Sequence, residues 1–188
     1  MDSKRATQLS KFLSLHLRHQ PEGLGLTLLA GGWVAVAELL AAAARHRRPI
    51  SRPELEDLVA GNDKQRFAFD AAGTHIRAQQ GHSVPVDLAL APALPPPVLY
   101  HGTVAKALPG IWREGLRKMK RHHVHLSPDL ETARRVGSRR GIAVLLAVDT
   151  VGLQAAGQVF YVTGNGVWLT EQVPPQYLRE VPPGPDLA

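Results

Sequence analysis

Four short stretches hold the side chains best able to do chemistry: Leu17-Arg18-His19, Asp63-Lys64-Gln65-Arg66-Phe67, Tyr100-His101-Gly102-Thr103 and the run from Met119 to Ser127. Each sets a guanidinium or an imidazole beside apolar residues that would anchor it. Arginine grips phosphate oxygens in a bidentate fork and stays charged. Histidine moves a proton near neutral pH. Several arginines with a histidine therefore suit a phosphoryl group.

Each stretch also has a plainer reading. Arg18 and His19 fall at the end of a first helix, where cations also suit the helix dipole. Lys64 and Arg66 are two apart, so in an extended segment both would face one side and could hold a phosphate. A basic hairpin edge that discourages aggregation would look the same. At His101-Gly102-Thr103 a glycine would let a ligand approach the backbone, with the histidine and threonine hydrogen-bonding a ribose or carboxamide. An ordinary strand-to-helix turn competes. His123 and His125 would share a strand face, as a zinc site requires, but no nearby acidic residue or cysteine completes a ligand set, so no metal is expected. Arg139 and Arg140 precede an apolar strand and could meet a diphosphate or line a solvated turn. Phosphate-loop, dinucleotide-fingerprint and nucleophile-elbow motifs are absent.

At 188 residues the chain can form one ordinary domain or two small ones, and 44% hydrophobic content is enough for packed cores. The net charge of +6 favours a polyanionic partner such as nucleic acid, although a solvated basic surface gives the same number. The lack of cysteine excludes disulfides, thiolate metal sites and a cysteine nucleophile, and fits a reducing cytoplasm. No signal-peptide core and no membrane-length apolar run is present, so a cytoplasmic protein without a membrane partner is expected.

The proline-rich segment from Ala89 to Pro97 reads as a semi-rigid linker between two lobes, residues 1–92 and 98–188. In the first lobe, Ser3 reads as the cap of a helix carrying Leu9, Phe12, Leu13, His16 and Leu17 and ending near Pro21. A turn and short strand follow at Gly31 to Val36, then a helix from Ala37 to Ala44. Ser51-Arg52-Pro53-Glu54 opens another helix with a capping box. Phe67–Asp70 and His75–Gln79 read as strands around Gly73. Three helices and a hairpin make a winged-helix pattern. In the second lobe, strands are expected at Val98–His101, Val124–Ser127, Ile142–Asp149, Val159–Val162 and Val167–Thr170, with helices from Val104 to Glu114 (interrupted at Pro109-Gly110) and from Ser127-Pro128-Asp129 to Arg135. The tail from Pro182 reads as loose. The fold class expected is α+β.

In this order, Leu15-His16-Leu17-Arg18-His19, Asp63 to Phe67, Tyr100 to Thr103, Arg121 to Ser127 and Gly164 to Thr170 resemble the KptA family of NAD-dependent tRNA 2′-phosphotransferases. The resemblance covers about Lys11 to Tyr177. It implies a winged-helix RNA lobe joined to an ADP-ribosyltransferase-like NAD lobe, with the active site in the cleft between them. It implies a catalytic set at Arg18, His19, Arg66 and Arg121, an RNA-phosphate contact at Lys64, and NAD binding at His101, Gly102, Thr103, Ser127 and Arg139, with Arg140 the competitor for the last place. Ile142 follows Gly141 where a lysine is more common in the family.

The implied reaction has two steps. The internal 2′-phosphate of a tRNA-like substrate attacks the nicotinamide-bearing ribose carbon of NAD, and nicotinamide leaves. The ribose 2″-hydroxyl then attacks phosphorus, releasing 2′-hydroxyl RNA and ADP-ribose 1″,2″-cyclic phosphate. NAD is consumed as a co-substrate, no metal is needed, and a monomer is expected. Two other readings remain at this point. One is an ADP-ribosyltransferase that leaves ADP-ribose on a protein or a nucleic-acid phosphate, for which Glu171 is the nearby acidic candidate. The other is a winged-helix DNA-binding protein without catalysis, which leaves the second lobe unexplained.

Overall fold

The computed structural model describes residues 2–61, 65–119 and 121–182. The chain is a mixture of helices and strands in two compact units, Met1–Leu90 and Ala91–Ala188, each with its own apolar core.

The first unit opens with helix α1, Ser3–Arg18. Its cap is Asp2, whose carboxylate accepts from the Arg5 amide at 2.7 Å, and not Ser3, which is the first helical residue. Either type can cap; the carboxylate also suits the positive end of the dipole. Leu9, Leu13 and Leu17 recur at helical spacing and are fully buried. Strand β1, Trp33–Ala35, leads into α2, Val36–Arg45, and then α3, Arg52–Ala60, with the capping box formed by Ser51 and Glu54. The Ser51 amide and the Arg5 side chain hold the Glu54 carboxyl down at about 2. Strands β2, Phe67–Phe69, and β3, His75–Ala78, form a hairpin, and β1 pairs with the other edge of β3.

The second unit starts inside the proline-rich segment. Pro92 bridges to Tyr161, the Ala93 amide donates to Phe160, and the Pro96 and Pro97 carbonyls both accept from Thr150. These prolines are therefore part of the second unit and not a free spacer. Missing amides do not prevent carbonyls from accepting.

Strand β4 runs from Val98 through Gly102 to Val104, three residues longer than its sequence suggested. Pro109 does not interrupt the next helix, α4, Leu108–Glu114; it sits in the first turn, where its missing amide costs nothing. Strands β5, Leu116–Arg117, and β6, Val124–Leu126, precede α5, Leu130–Gly137. Next come β7, Ala143–Asp149, and α6, Thr150–Ala155. Strands β8, Phe160–Val162, and β9, Trp168–Thr170, form a hairpin; β10, Gln172–Val173, and β11, Leu178–Glu180, complete the unit. One sheet has the order β11-β7-β4 and another β6-β9-β8. A bridge between Tyr100 and Ser127 joins them, with amide–carbonyl distances of 2.9 and 2.8 Å.

Candidate functional site

In the first unit the chemistry gathers where α1 ends. His19 leaves helical geometry (φ −128°, ψ −35°), and its amide donates to the Leu15 carbonyl. The ring Nδ1 lies 2.9 Å from Ser83 Oγ, and the Ser83 amide donates to the Arg18 carbonyl. Arg18 Nη2 donates to the Arg66 carbonyl at 3.4 Å, and its guanidinium lies 5.9 Å from the Phe67 ring centre. Arg66 Nη1 reaches Ser10 Oγ at 3.4 Å. Both distances are long for hydrogen bonds, which are strongest near 2.9 Å.

The extended geometry expected around Arg66 fails at Gln65, which has φ 37°, a left-handed conformation. The buried Gln79 stabilises this bend: its side-chain amide donates to the Gln65 carbonyl at 2.8 Å, and its backbone amide to that of Arg66. Lys64 lies outside the described residues. His19 and Arg66, with Ser10, Lys11 and Ser14, line a groove of about 610 Å³ along α1. Ser10, Ser83 and Gln79 were not singled out from sequence. The spacing Ser10, Ser14, Arg18 places three polar residues on one helical face, a signal that points to the first of them.

In the second unit His101 lies on β4, half-buried, with Nδ1 3.1 Å from the His125 carbonyl. A carbonyl only accepts, so Nδ1 carries the proton and Nε2 of the neutral ring is an acceptor. Burial is the main cause lowering the affinity of His101 for a second proton; the charge of Arg121 adds to it and the His125 carbonyl opposes it. The ring is thus neutral at pH 7 and presents an acceptor suited to a ribose hydroxyl.

The strand bridge brings Ser127 beside Tyr100, next to His101. Thr103 pairs with Val144 in the sheet. At Gly102 the structure shows a close approach of another backbone. A β-carbon there would collide with the Ala133 carbonyl and lie 2.9 Å from the Gly137 nitrogen, so the backbone of α5 fills the space.

Arg139 and Arg140 share a short turn after α5. Burial, then the charges of Arg140 and Arg139, lower the proton affinity of Arg121, so three guanidinium groups converge. Such a cluster is suited to a diphosphate or phosphate. His123 stands outside β6, and its ring meets the edge of Tyr161 at 5.5 Å. His125 Nδ1 donates to the His123 carbonyl. The two imidazoles therefore do not share a strand face as expected, and among the described residues no group of three histidines, cysteines or acids could hold a metal. Glu171 is exposed and pairs with Lys118 at 3.3 Å. No helix among the described residues is long and apolar enough to cross a membrane.

Comparison with known proteins gives one family. Its description, RNA 2′-phosphotransferase, Tpt1 / KptA family, matches residues 4–172. A protein of Trichormus variabilis named "Probable RNA 2′-phosphotransferase" is 59% identical, covering 95% of this chain and 98% of its own. Its namesake in Streptomyces coelicolor is also 59% identical, over 95% and 97%. That of Pseudomonas aeruginosa is 51% identical, over 96% and 100%. The match spans both units and every candidate residue described above, and the chain belongs to the RNA 2′-phosphotransferase, Tpt1 / KptA family.

Proposed function

We propose that this chain moves an internal RNA 2′-phosphate onto NAD, leaving a 2′-hydroxyl on the RNA and releasing nicotinamide and ADP-ribose 1″,2″-cyclic phosphate. In this reading the first unit is a winged-helix RNA lobe and the second an ADP-ribosyltransferase-like NAD lobe. Three helices with the three-stranded β1-β3-β2 sheet support the first assignment. The paired three-stranded sheets bridged at Tyr100 and Ser127 support the second. The observation that carries the functional proposal is the grouping of Arg18, His19 and Arg66 at the end of α1, in a chain that belongs to this family.

The first step needs no protein base, because the attacking phosphate is already anionic. The residues orient it and hold the dinucleotide. His101, Thr103 and Ser127 contact the ribose and carboxamide, and Arg139, with Arg140 beside it, faces the diphosphate. Gly102 acts by letting α5 seat against β4. In the second step charge builds on the phosphoryl oxygens, and Arg18, Arg66 and Arg121 stabilise it; Lys64 adds a phosphate contact. The attacking hydroxyl gives up a proton and the departing RNA oxygen gains one, and His19 is the group that transfers it. The reaction needs no metal. A tRNA-splicing product is the proposed substrate class, and the cytoplasm the proposed compartment.

The test is incubation with NAD and a short RNA bearing one internal 2′-phosphate, with products resolved by gel and mass spectrometry. Plain 2′-hydroxyl RNA and the cyclic phosphate are expected. Stable ADP-ribosylated RNA would instead make the chain an ADP-ribosyltransferase, and absence of NAD consumption would remove both enzymatic readings.

A further inference from the structure

A second cavity, of about 390 Å³, opens at the end of β9 in the second unit, and neither His101 nor Ser127 lines it. His123 and Tyr161 form an aromatic corner in its wall, ring centres 5.5 Å apart at 61°. Gln158 lines it, held by its side-chain amide donating to Thr170 Oγ1 at 2.9 Å, which leaves its carbonyl oxygen as the acceptor. Lys118 and Glu171 pair across its rim.

The ligand this chemistry selects is planar, polar and uncharged. Burial, and then the charges of His122 and Lys118, lower the proton affinity of His123, so its ring is neutral at pH 7 and offers one donor and one acceptor. A phosphate would meet the Glu171 carboxylate, with Lys118 already engaged by it. A nucleobase meets an aromatic corner for its face, and imidazole, phenol and amide groups for its edge. Position supports an RNA base: His123 is two residues from Arg121, so their α-carbons are within about 7 Å.

We propose that this cavity receives a base of the substrate RNA next to the nucleotide carrying the 2′-phosphate. The inference rests on the phosphotransferase reading for the identity of the RNA. It adds a base-recognition site to an enzyme whose proposed groups otherwise touch only phosphate and dinucleotide.

The test compares turnover of 2′-phosphorylated RNAs carrying a base or an abasic residue at each position flanking the phosphate. Base–aromatic stacking predicts a loss of roughly 5- to 150-fold in kcat/KM at one flanking position in the unaltered protein. The loss should vanish in His123→Ala with the KM for NAD unchanged. Glu171→Gln, at an exposed position where folding is not at risk, should alter which base is preferred. Equal turnover of base and abasic RNAs by the unaltered protein would overturn the proposal. So would a changed KM for NAD in His123→Ala, which would assign the cavity to the dinucleotide. If no RNA is turned over, the phosphotransferase reading fails separately. Binding of an RNA with 2-aminopurine at the flanking positions then decides: quenching lost in His123→Ala upholds the base site, and absence of quenching refutes it.

Discussion

Replacing Gly102 by alanine tests whether the second unit depends on backbone contact between β4 and α5. A β-carbon at 102 would lie 2.7 Å from the Ala133 carbonyl carbon and 2.9 Å from the Gly137 nitrogen. The Ala133 carbonyl oxygen would be closer still, and non-bonded contacts are comfortable only near 3.5–4.0 Å, so α5 must retreat by more than about 1 Å. Ala133 and Gly137 are buried, and the whole helix face loses its seat. Overpacking of this kind costs about 1–3 kcal/mol. For a unit of this size that is a fall in Tm of roughly 5–20 °C. Because α5 starts just after Ser127 and ends in the Arg139–Arg140 turn, its shift should also raise the KM for NAD and leave the KM for RNA unchanged. Calorimetry and steady-state kinetics of Gly102→Ala read both effects. An unaltered Tm with a raised KM for NAD would refute the packing argument and return Gly102 to direct ligand contact.

Arg66→Ala and Arg121→Ala should slow the second chemical step by about 10²–10³-fold each, more than the first, so that ADP-ribosylated RNA accumulates in a gel time course; a time course without that band in either variant contradicts the assigned roles. Ser51→Ala removes the hydroxyl that accepts from the Glu54 amide at 3.3 Å and should cost about 1 kcal/mol in urea denaturation with no change in kcat. His101 binds its proton less readily folded than unfolded, so the unfolded state takes up protons first as pH falls. Its contribution to stability is complete above about pH 6.5 and declines below it. His101→Asn should flatten the fall in urea midpoint between pH 8 and 5.5 without abolishing it, because His123 shifts in the same direction; an unchanged slope would show that His101 has no part in it.

What could be read from sequence follows the range of the interactions involved. The capping box at Ser51 and the apolar spacing of Leu9, Leu13 and Leu17 are local, and the structure contains both. The bend at Gln65 is non-local: it depends on Gln79, fourteen residues away, and glutamine does not itself favour the left-handed conformation found there. Gly102 was visible as a glycine with a purpose, but α5, which supplies that purpose, begins twenty-eight residues later. Strands β5, β10 and β11 went unseen because two or three residues carry no period; partners in the fold define them. Ile142 looked like the first residue of a buried strand and is 92% exposed, since β7 begins one residue later. The charged candidates were legible by type, whereas the convergence of Arg121, Arg139 and Arg140 required the turn after α5.

Charge on the helices of the first unit decides how it could engage nucleic acid. In a winged-helix protein that reads duplex DNA, a recognition helix enters the major groove among phosphates. Here α3, the last helix before the hairpin, carries Glu54, Glu56 and Asp57 against a single arginine. That arginine is engaged at the surface, with Nε donating to Glu56 at 2.6 Å and its guanidinium 5.0 Å from the Phe69 ring centre. Glu54 holds Arg5 at 3.0 Å and stays ionised down to about pH 2. Phosphates approaching α3 would meet net negative charge. Along α1, by contrast, Lys11 and Arg66 share a groove with His19 and with the hydroxyls of Ser10 and Ser14. Hydroxyls and cations in one groove suit the sugar-phosphate backbone of the single strand proposed as substrate. The same distribution weakens the duplex-DNA reading and agrees with the RNA lobe proposed for this unit.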